Sequence, residues 1–237
     1  LPEKIQKTCS PFIANGKITF HSALKGLVNK KTNPLFEMNY TISEGNFKLK
    51  SSSFQLSSIQ MNGGLSNGKY RNFNSTKITA NLFKAKTKKG HINGQFTIKN
   101  LNNYFLSSKF NSSWDLKEIN PYFENSPFIQ LKGQLLTTTN YKGNIAFDNR
   151  FKRMFLDANH KSDIKLKDLR FNYAGSILDF NFESINCKLN KQKTLVNFCK
   201  GTISETDLKF KGEILNLIAY ILDEAPKIYV KGDIEST

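Results

Sequence analysis

The sequence predicts an all-β, mostly antiparallel fold carrying two short amphipathic helices. Three observations predict it. A five-residue pattern (apolar, any residue, glycine, any residue, apolar) recurs along the chain. Apolar and polar residues alternate with period two through most of the remainder. Clusters of Asn and Gly interrupt the alternation at short intervals, as turns do.

The glycine pattern reads Leu24-Lys-Gly26-Leu-Val28, Met61-Asn-Gly63-Gly-Leu65 and Ile92-Asn-Gly94-Gln-Phe96. It returns as Leu131-Lys-Gly133-Gln-Leu135, Tyr141-Lys-Gly143-Asn-Ile145, Phe210-Lys-Gly212-Glu-Ile214 and Val230-Lys-Gly232-Asp-Ile234. In every copy the glycine falls on the apolar face of its strand. A glycine inside a strand weakens it by about 0.5–1 kcal/mol, so its repeated use needs a physical reason. Either the sheet bends sharply there, or the glycines clear space for neighbouring aromatic rings or for something lying against the backbone.

Taken in order, Ile18, Phe20, Ser22 and Leu24 alternate, followed by Phe36, Met38, Tyr40 and Ile42, and then Phe47 and Leu49. Asn62-Gly63-Gly64 and Ser66-Asn67-Gly68 read as turns. Ile78, Ala80 and Leu82 form the next strand; Ile164 with Leu166, Leu169 with Phe171 and Tyr173, Phe180 with Phe182, and Ile185 with Cys187 and Leu189 form later ones. Regular short strands with polar turns fit a sandwich, a barrel or a solenoid. Two segments depart from this rhythm. Over 115–124, Leu116, Ile119 and Phe123 share a helical face, with Asp115 as candidate N-cap. Over 216–224, Leu217, Ile218, Ile221 and Leu222 recur at helical spacing, with Asn216 as candidate cap and Pro226 beyond the end.

Each helical segment leads into the same strand. Pro127-Phe-Ile-Gln-Leu-Lys-Gly133 matches Pro226-Lys-Ile-Tyr-Val-Lys-Gly232 at a constant offset of 99 residues, and Leu116, Ile119 and Phe123 fall on Leu215, Ile218 and Leu222. Such self-similarity marks a repeating array. The expected organisation is one continuous array: residues 1–126, ending in the helix at 115–124, and residues 127–237, containing the helix at 216–224. The chain opens on Leu1 and stops just after a glycine strand, which reads as a fragment of a longer protein.

The net charge is +16, but 31 of the 35 basic residues are lysine and only Arg71, Arg150, Arg153 and Arg170 are arginine. Phosphate and base readout favours the planar guanidinium fork, and these lysines are spread along polar strand faces. With no recognition helix or aromatic RNA-binding motif, the pattern argues against sequence-specific nucleic-acid binding. There is no run of about 18 apolar residues, so the sequence contains no helical membrane span. Any leader or anchor would lie upstream of Leu1. His21, His91 and His160 stand far apart in polar or turn contexts. No nucleophile elbow, HExxH or phosphate-binding glycine loop is present, and the sequence points away from an enzyme and from any cofactor. Cys9, Cys187 and Cys199 fit no zinc spacing. Cys187 and Cys199 flank the turn 190–193, where a hairpin would bring them nearly opposite. Both a cross-strand disulfide and a pair of buried thiols are compatible with that.

Together, the glycine strands, the helices Asp115-Leu116-Lys-Glu-Ile119 and Asn216-Leu217-Ile218, and the stretch from Asp163-Ile-Lys-Leu-Lys-Asp168-Leu-Arg-Phe171 through Gly201-Thr-Ile-Ser-Glu to Gly212 resemble the AsmA-like family, in its C-terminal region. This family is related to TamB and to the repeating-β-groove lipid-transfer proteins. The resemblance covers about residues 90–237. It implies an elongated, curved, groove-like or solenoid-like sheet with an apolar floor. It also implies a place in the periplasm of a two-membrane bacterium, with an inner-membrane anchor outside this chain, and a part in lipid transport between membranes and in outer-membrane assembly. A phospholipid or other envelope lipid is the implied partner, with possible envelope proteins beside it. Burying an acyl chain contributes about 0.8 kcal/mol per CH₂, so a continuous apolar floor suffices without specific polar ligands. The candidate floor residues are Phe96, Ile98, Ile129, Leu131, Leu135, Ile164, Leu166, Phe171, Phe180, Phe182, Leu208, Phe210 and Ile214. The competing expectation is a non-catalytic envelope β domain that docks a protein partner or an anionic polymer. Such a module would close its core, whereas a lipid groove keeps its apolar face open.

Overall fold

In a computed structural model, residues 12–29, 32–50, 55–119, 128–146 and 150–236 are described. They form twelve strands: β1 (Phe12–Lys25), β2 (Leu35–Leu49), β3 (Gln55–Ser66), β4 (Lys77–Lys86), β5 (His91–Lys99), β6 (Phe105–Asp115), β7 (Phe128–Asn144), β8 (Asn159–Tyr173), β9 (Asp179–Asn190), β10 (Lys193–Ile203), β11 (Thr206–Leu215) and β12 (Tyr229–Ser236). Strand order in the sheet follows sequence order and the sheet is open. The described pairings are all antiparallel. The fold is thus all-β, as the alternation predicts. The chain divides into two units, Leu1–Phe110 and Asn111–Thr237.

In the first unit, residues of one face line up across the strands. Phe20, Tyr40, Gly63, Ala80 and Phe96 are successive partners from β1 to β5. Beside them run Ile18, Ile42, Met61, Phe83 and Gly94, and on the other flank Ser22, Met38, Leu65, Ile78 and Ile98. Gly63 shows what the glycine is for. The Tyr40 hydroxyl donates to the Thr79 carbonyl at 2.8 Å, so its ring reaches from β2 past β3 to β4. A Cβ on Gly63 would lie 1.8 Å from that same carbonyl oxygen. Gly94 plays the same part for Phe110, whose Cδ1 would lie 2.4 Å from an added Cβ. Phe83, Phe96 and Phe110 pack as a trio with centroids 5.9–6.4 Å apart.

The second unit is lined up across its strands in the same manner. Leu135, Leu166, Ile185, Cys199, Phe210 and Ile234 are successive partners from β7 to β12. Thr137, Ile164, Cys187, Val196, Gly212 and Gly232 form the next row. Thr139, Ser162, Leu189, Thr194, Ile214 and Val230 form a third. The Phe210 ring lies over both Gly212 and Gly232, its edge atoms 2.9 and 2.8 Å from where their Cβ atoms would stand.

Register shifts interrupt the ladders, and at several of them a non-glycine residue takes the left-handed conformation: Glu44, Ser58, Gln130 and Asp168. These are β-bulges, which bend the strand and change the phase of its alternation. At the third of them, Gln130 and Leu131 together oppose the single residue Phe171.

Three short helices lie among the described residues of the second unit: α1 (Leu116–Ile119), α2 (Phe151–Asp157) and α3 (Leu217–Ile221). Asp115 caps α1 as expected, its Oδ1 accepting the Lys117 amide proton at 2.9 Å. The remainder of the predicted 115–124 helix lies outside the described residues. The α3 helix is shorter than the predicted 216–224, and Asn216 makes no side-chain cap bond. It sits instead in the left-handed conformation at φ 62°, where its side chain cannot serve as an ordinary N-cap. The α2 helix is not predicted by the alternation.

Cys187 and Cys199 are both free and buried. Cys187 faces Val196 across the hairpin and Cys199 faces Ile185, because the register shifts between Val196 and Phe198. The two therefore occupy adjacent rows rather than opposite positions, within a cluster that includes Val196, Ile164, Phe182 and Phe210. Burial pushes both thiols up to about 11, so at pH 8 neither is a nucleophilic thiolate. Alkylation at that pH is expected to spare both in the folded protein and to modify both after denaturation. Mass spectrometry of the labelled peptides checks this; labelling of either thiol in the folded chain would contradict their burial.

Candidate functional site

Phe and Ile are normally among the most buried residues. This chain has 20 phenylalanines, yet among the described residues no Phe or Ile belongs to the buried core. That core consists of small or amphipathic side chains and a few leucines: Ala80, Ala85, Ala146, Ala158, Val196, Cys187, Cys199, Tyr40, Tyr141, Leu56, Leu116, Leu169 and Leu189. Most of the large apolar groups lie half-buried on one face of each unit, while Leu195, Phe198 and Leu215 are exposed on the other side. In the second unit they gather most densely on β7 to β9. Phe171 stacks on Phe180 with centroids 4.9 Å apart and planes 3° apart, and on Phe182 at 6.1 Å. Phe128 meets Phe171 edge-on at 5.2 Å. Gly201 faces Phe182 and leaves room for its ring, which would lie 2.8 Å from an added Cβ. On β12 the same face is more open still, with Val230 and Ile234 exposed by 55% and 64%.

The structure places twelve of the thirteen candidate floor residues on these faces: Phe96 and Ile98 in the first unit, and Leu131, Leu135, Ile164, Leu166, Phe171, Phe180, Phe182, Leu208, Phe210 and Ile214 in the second. Ile129 is the correction. It pairs with Asn172, while its neighbour Phe128 shares a face with Phe171 and Tyr173. Ile129 therefore projects from the other side of the sheet, where it is 45% exposed. The bulge at Gln130 and Leu131 is what separates Leu131 from the phase of Ile129. Leu169, Ile185, Cys187, Leu189, Val196 and Cys199 also belong to the face. Their alternation is visible in the sequence, but the bulge at Asp168 hides the continuity of Leu169 with Leu166.

At one end of this face, polar groups replace apolar ones. Thr139 and Ser162 share a hydrogen bond at 3.0 Å, and His160 is sandwiched against Phe155 of α2 at 4.9 Å, with Phe155 also stacked on Tyr141 at 5.8 Å. A cavity of about 50 Å³ lies here, lined by Leu156, His160, Leu189, Thr194, Leu217 and Ile218 among others. His160 Nδ1 and Thr194 Oγ1 are buried with no hydrogen-bond partner among the described residues. Desolvation, with the nearby Lys191 charge added, holds His160 below its ordinary value of 6.5. A base with a lowered folded-state pKa binds protons more readily when unfolded, so stability rises with pH across that window. Folding should therefore be weakened as pH falls from about 6.5 towards the lowered value. The variant His160→Gln should lose that part of the pH dependence, as read from urea midpoints on either side of that window. An unchanged dependence would show that His160 is not the group responsible.

The opposite face is charged. Lys132 stands directly across from Arg170, and Lys200 across from Lys209, arrangements that are unfavourable for like charges. Two of these cations have acidic partners: Lys200 pairs with Glu183 at 2.5 Å and Lys209 with Glu235 at 3.1 Å. A cavity of about 640 Å³ on this part of the sheet is lined by Arg170, Lys200 and Lys209, but equally by Asp168, Glu183, Asp207 and Glu235. That mixture offers a polyanion no net attraction. Among the described residues, no group of three or more His, Cys, Asp or Glu side chains converges where a metal ion could be held. No protein-family model, curated protein or solved structure matches this chain.

Proposed function

We propose that this chain is part of an AsmA-like envelope protein and binds lipid acyl chains along the uncovered apolar face of its sheet. The observation that carries this reading is the lack of any Phe or Ile in the buried core of the described residues, in a chain with 20 phenylalanines. A closed β module would bury those residues against a second layer. Here the face is lined in register by Leu135, Leu166, Ile185, Cys199, Phe210 and Ile234 across six strands. At about 4.8 Å between strands such a row extends about 24 Å, more than the roughly 15 Å that one leaflet's chains span in a bilayer core. Gly94, Gly201, Gly212 and Gly232 are covered by the protein's own rings, and Gly63, Gly133 and Gly143 by backbone or Ala158, so in this reading the glycines shape the floor rather than hold the cargo. Head groups would remain in water, where lysines at the rim of the face would meet phosphate as point charges.

The role that follows is non-catalytic passage of phospholipid or another envelope lipid between membranes, in support of outer-membrane assembly. The setting is the periplasm, with an inner-membrane anchor supplied by sequence outside this chain. The test is native mass spectrometry with lipid extraction on the chain purified gently from a bacterial envelope. Co-purifying lipid at defined stoichiometry is the expected result. A lipid-free mass, under conditions that keep lipid on a control lipid-binding protein, would overturn the reading in favour of a module that docks a protein or anionic polymer.

A further inference from the structure

The apolar face of the second unit meets the small cavity of about 50 Å³ at the start of β8. Leu156 of α2 and Leu217 and Ile218 of α3 wall this cavity, and His160, Leu189 and Thr194 line it from the strands. Among the described residues only three buried side-chain nitrogen or oxygen atoms lack a hydrogen-bond partner, and two of them, His160 Nδ1 and Thr194 Oγ1, belong to residues of this one cavity. Those residues are 3% and 2% exposed. Leaving a polar atom unpaired at such depth is costly, so two around one cavity point to a group that they are there to bind. Neighbouring polar groups are already engaged. Thr139 and Ser162 bond to each other, and Asn190 Oδ1 accepts the Gln192 and Lys193 amide protons. Lys191 Nζ donates to the Asp157 carbonyl, and Lys193 pairs with Glu213.

What is left over is a pair of donors. The Thr194 hydroxyl is free to turn, and a neutral imidazole can carry its proton on Nδ1. Two donors on one cavity match the two lone pairs of a single carbonyl oxygen. The size agrees. A water molecule takes about 30 Å³, so the cavity has room for a carbonyl and its nearest atoms but not for a phosphate-bearing head group. Leu189 connects it to the floor: it pairs with Ser162 and Thr194, and the next row along the face is Ile164, Cys187 and Val196. We propose that this cavity holds the carbonyl end of an acyl chain whose hydrocarbon lies on the apolar face, with His160 Nδ1–H and Thr194 Oγ1–H donating to the carbonyl oxygen. The inference rests on the acyl-binding reading above and adds to it an anchor point and a direction. The chain leaves past Leu189 toward Cys187 and Val196, and a few fixed polar groups in an apolar site set its orientation. A free fatty acid and a glycerolipid ester both offer this chemistry.

Competition against diphenylhexatriene tests the proposal. This hydrocarbon fluorophore has no hydrogen-bonding group, so its own binding reports on the apolar face alone. The competitors share one chain length: methyl dodecanoate, dodecyl methyl ether, in which a methylene replaces the carbonyl, and dodecanoate. The ester is expected to displace the fluorophore at concentrations at least about tenfold lower than the ether. Thr194→Val and His160→Phe should each shrink that ratio to about threefold or less. The ratio is taken within each variant, so a general effect on the face or on folding cancels. A second measurement needs no variant: the infrared carbonyl stretch of methyl dodecanoate bound to the wild type should lie below its position in hexane, because two donors weaken the C=O bond. Dodecanoate competing better than the ester would assign the site to free fatty acids, and the reverse order to glycerolipid esters. Equal competition by ester and ether, the result expected if the cavity takes only water, would overturn the proposal and leave the acyl-binding face standing, as would an unshifted carbonyl stretch. No binding of diphenylhexatriene at all would overturn both.

Discussion

Replacing Gly63 with alanine is expected to destabilise the protein by about 3 kcal/mol or more, while replacing the adjacent Gly64 is expected to change stability by no more than about 1 kcal/mol. The two glycines have the same neighbours in sequence but different surroundings. A Cβ on Gly63 would lie 1.8 Å from the Thr79 carbonyl oxygen and 3.0 Å from the Ala80 Cα. These are backbone atoms, and Ala80 is 1% exposed, so β4 would have to move as a whole. The displacement also breaks the Tyr40–Thr79 bond, worth about 1 kcal/mol net, and overpacking adds about 1–3 kcal/mol. A Cβ on Gly64 would meet only Asn39 Oδ1 and the Met38 carbonyl at 3.3 Å, and Thr79 Oγ1 at 3.6 Å. Lower entropy in the unfolded chain partly offsets that crowding. Thermal unfolding followed by circular dichroism should show a fall of about 6–12 °C for Gly63→Ala and little change for Gly64→Ala. Equal tolerance at both positions would mean that the seat under Tyr40 is not what the glycine provides.

The same residues show how much of the structure could be read from sequence. Period-two alternation is a local property, and it identified the strands and the face on which twelve of thirteen candidate floor residues lie. What alternation cannot carry across is a bulge. Leu166 and Leu169 are three apart yet share a face because Asp168 takes φ 51° between them. Ile129 and Leu131 are two apart, yet the bulge at Gln130 sets them on different sides. Nothing in Gln or Asp announces a left-handed conformation. The glycine pattern was legible as a repeat, but its function depends on which ring crosses from the neighbouring strand, and that is a matter of register. The α2 helix escaped because Phe151–Asp157 spans barely two turns, too short for periodicity to stand out from a strand. Its purpose becomes visible only in three dimensions, where Phe155 covers Tyr141 and His160. The cysteines illustrate the limit of turn counting: the hairpin was placed correctly, but a single shift between Val196 and Phe198 puts the two thiols in adjacent rows.

The double variant Phe180→Asp/Phe182→Asp is expected to abolish lipid retention while leaving the sheet folded. Phe180 and Phe182 point from β9 onto the apolar face, where Phe171 lies against both. Both are only half-buried, so their replacement opens no closed cavity; the loss is of ring–ring contacts worth about 0.5–1.5 kcal/mol each and of the packing of Phe182 against Cys187, Val196 and Cys199. Two carboxylates at these positions would have to be desolvated beneath any acyl chain lying across β8 to β10. That cost exceeds the gain of about 0.8 kcal/mol per CH₂ buried there. The matched control is Asn181→Asp/Ser184→Asp, which adds the same two charges to the same strand. Asn181 pairs with Arg170 and Ser184 with Lys167, both on the opposite, charged face, so lipid retention should be unaffected. Native mass spectra of the three proteins decide the matter. Loss in the phenylalanine variant alone ties the bound lipid to this face, and retention in that variant would remove these positions from the path. Equal loss in both variants would instead trace the effect to net charge, since the two pairs of substitutions differ only in the side of β9 from which they project.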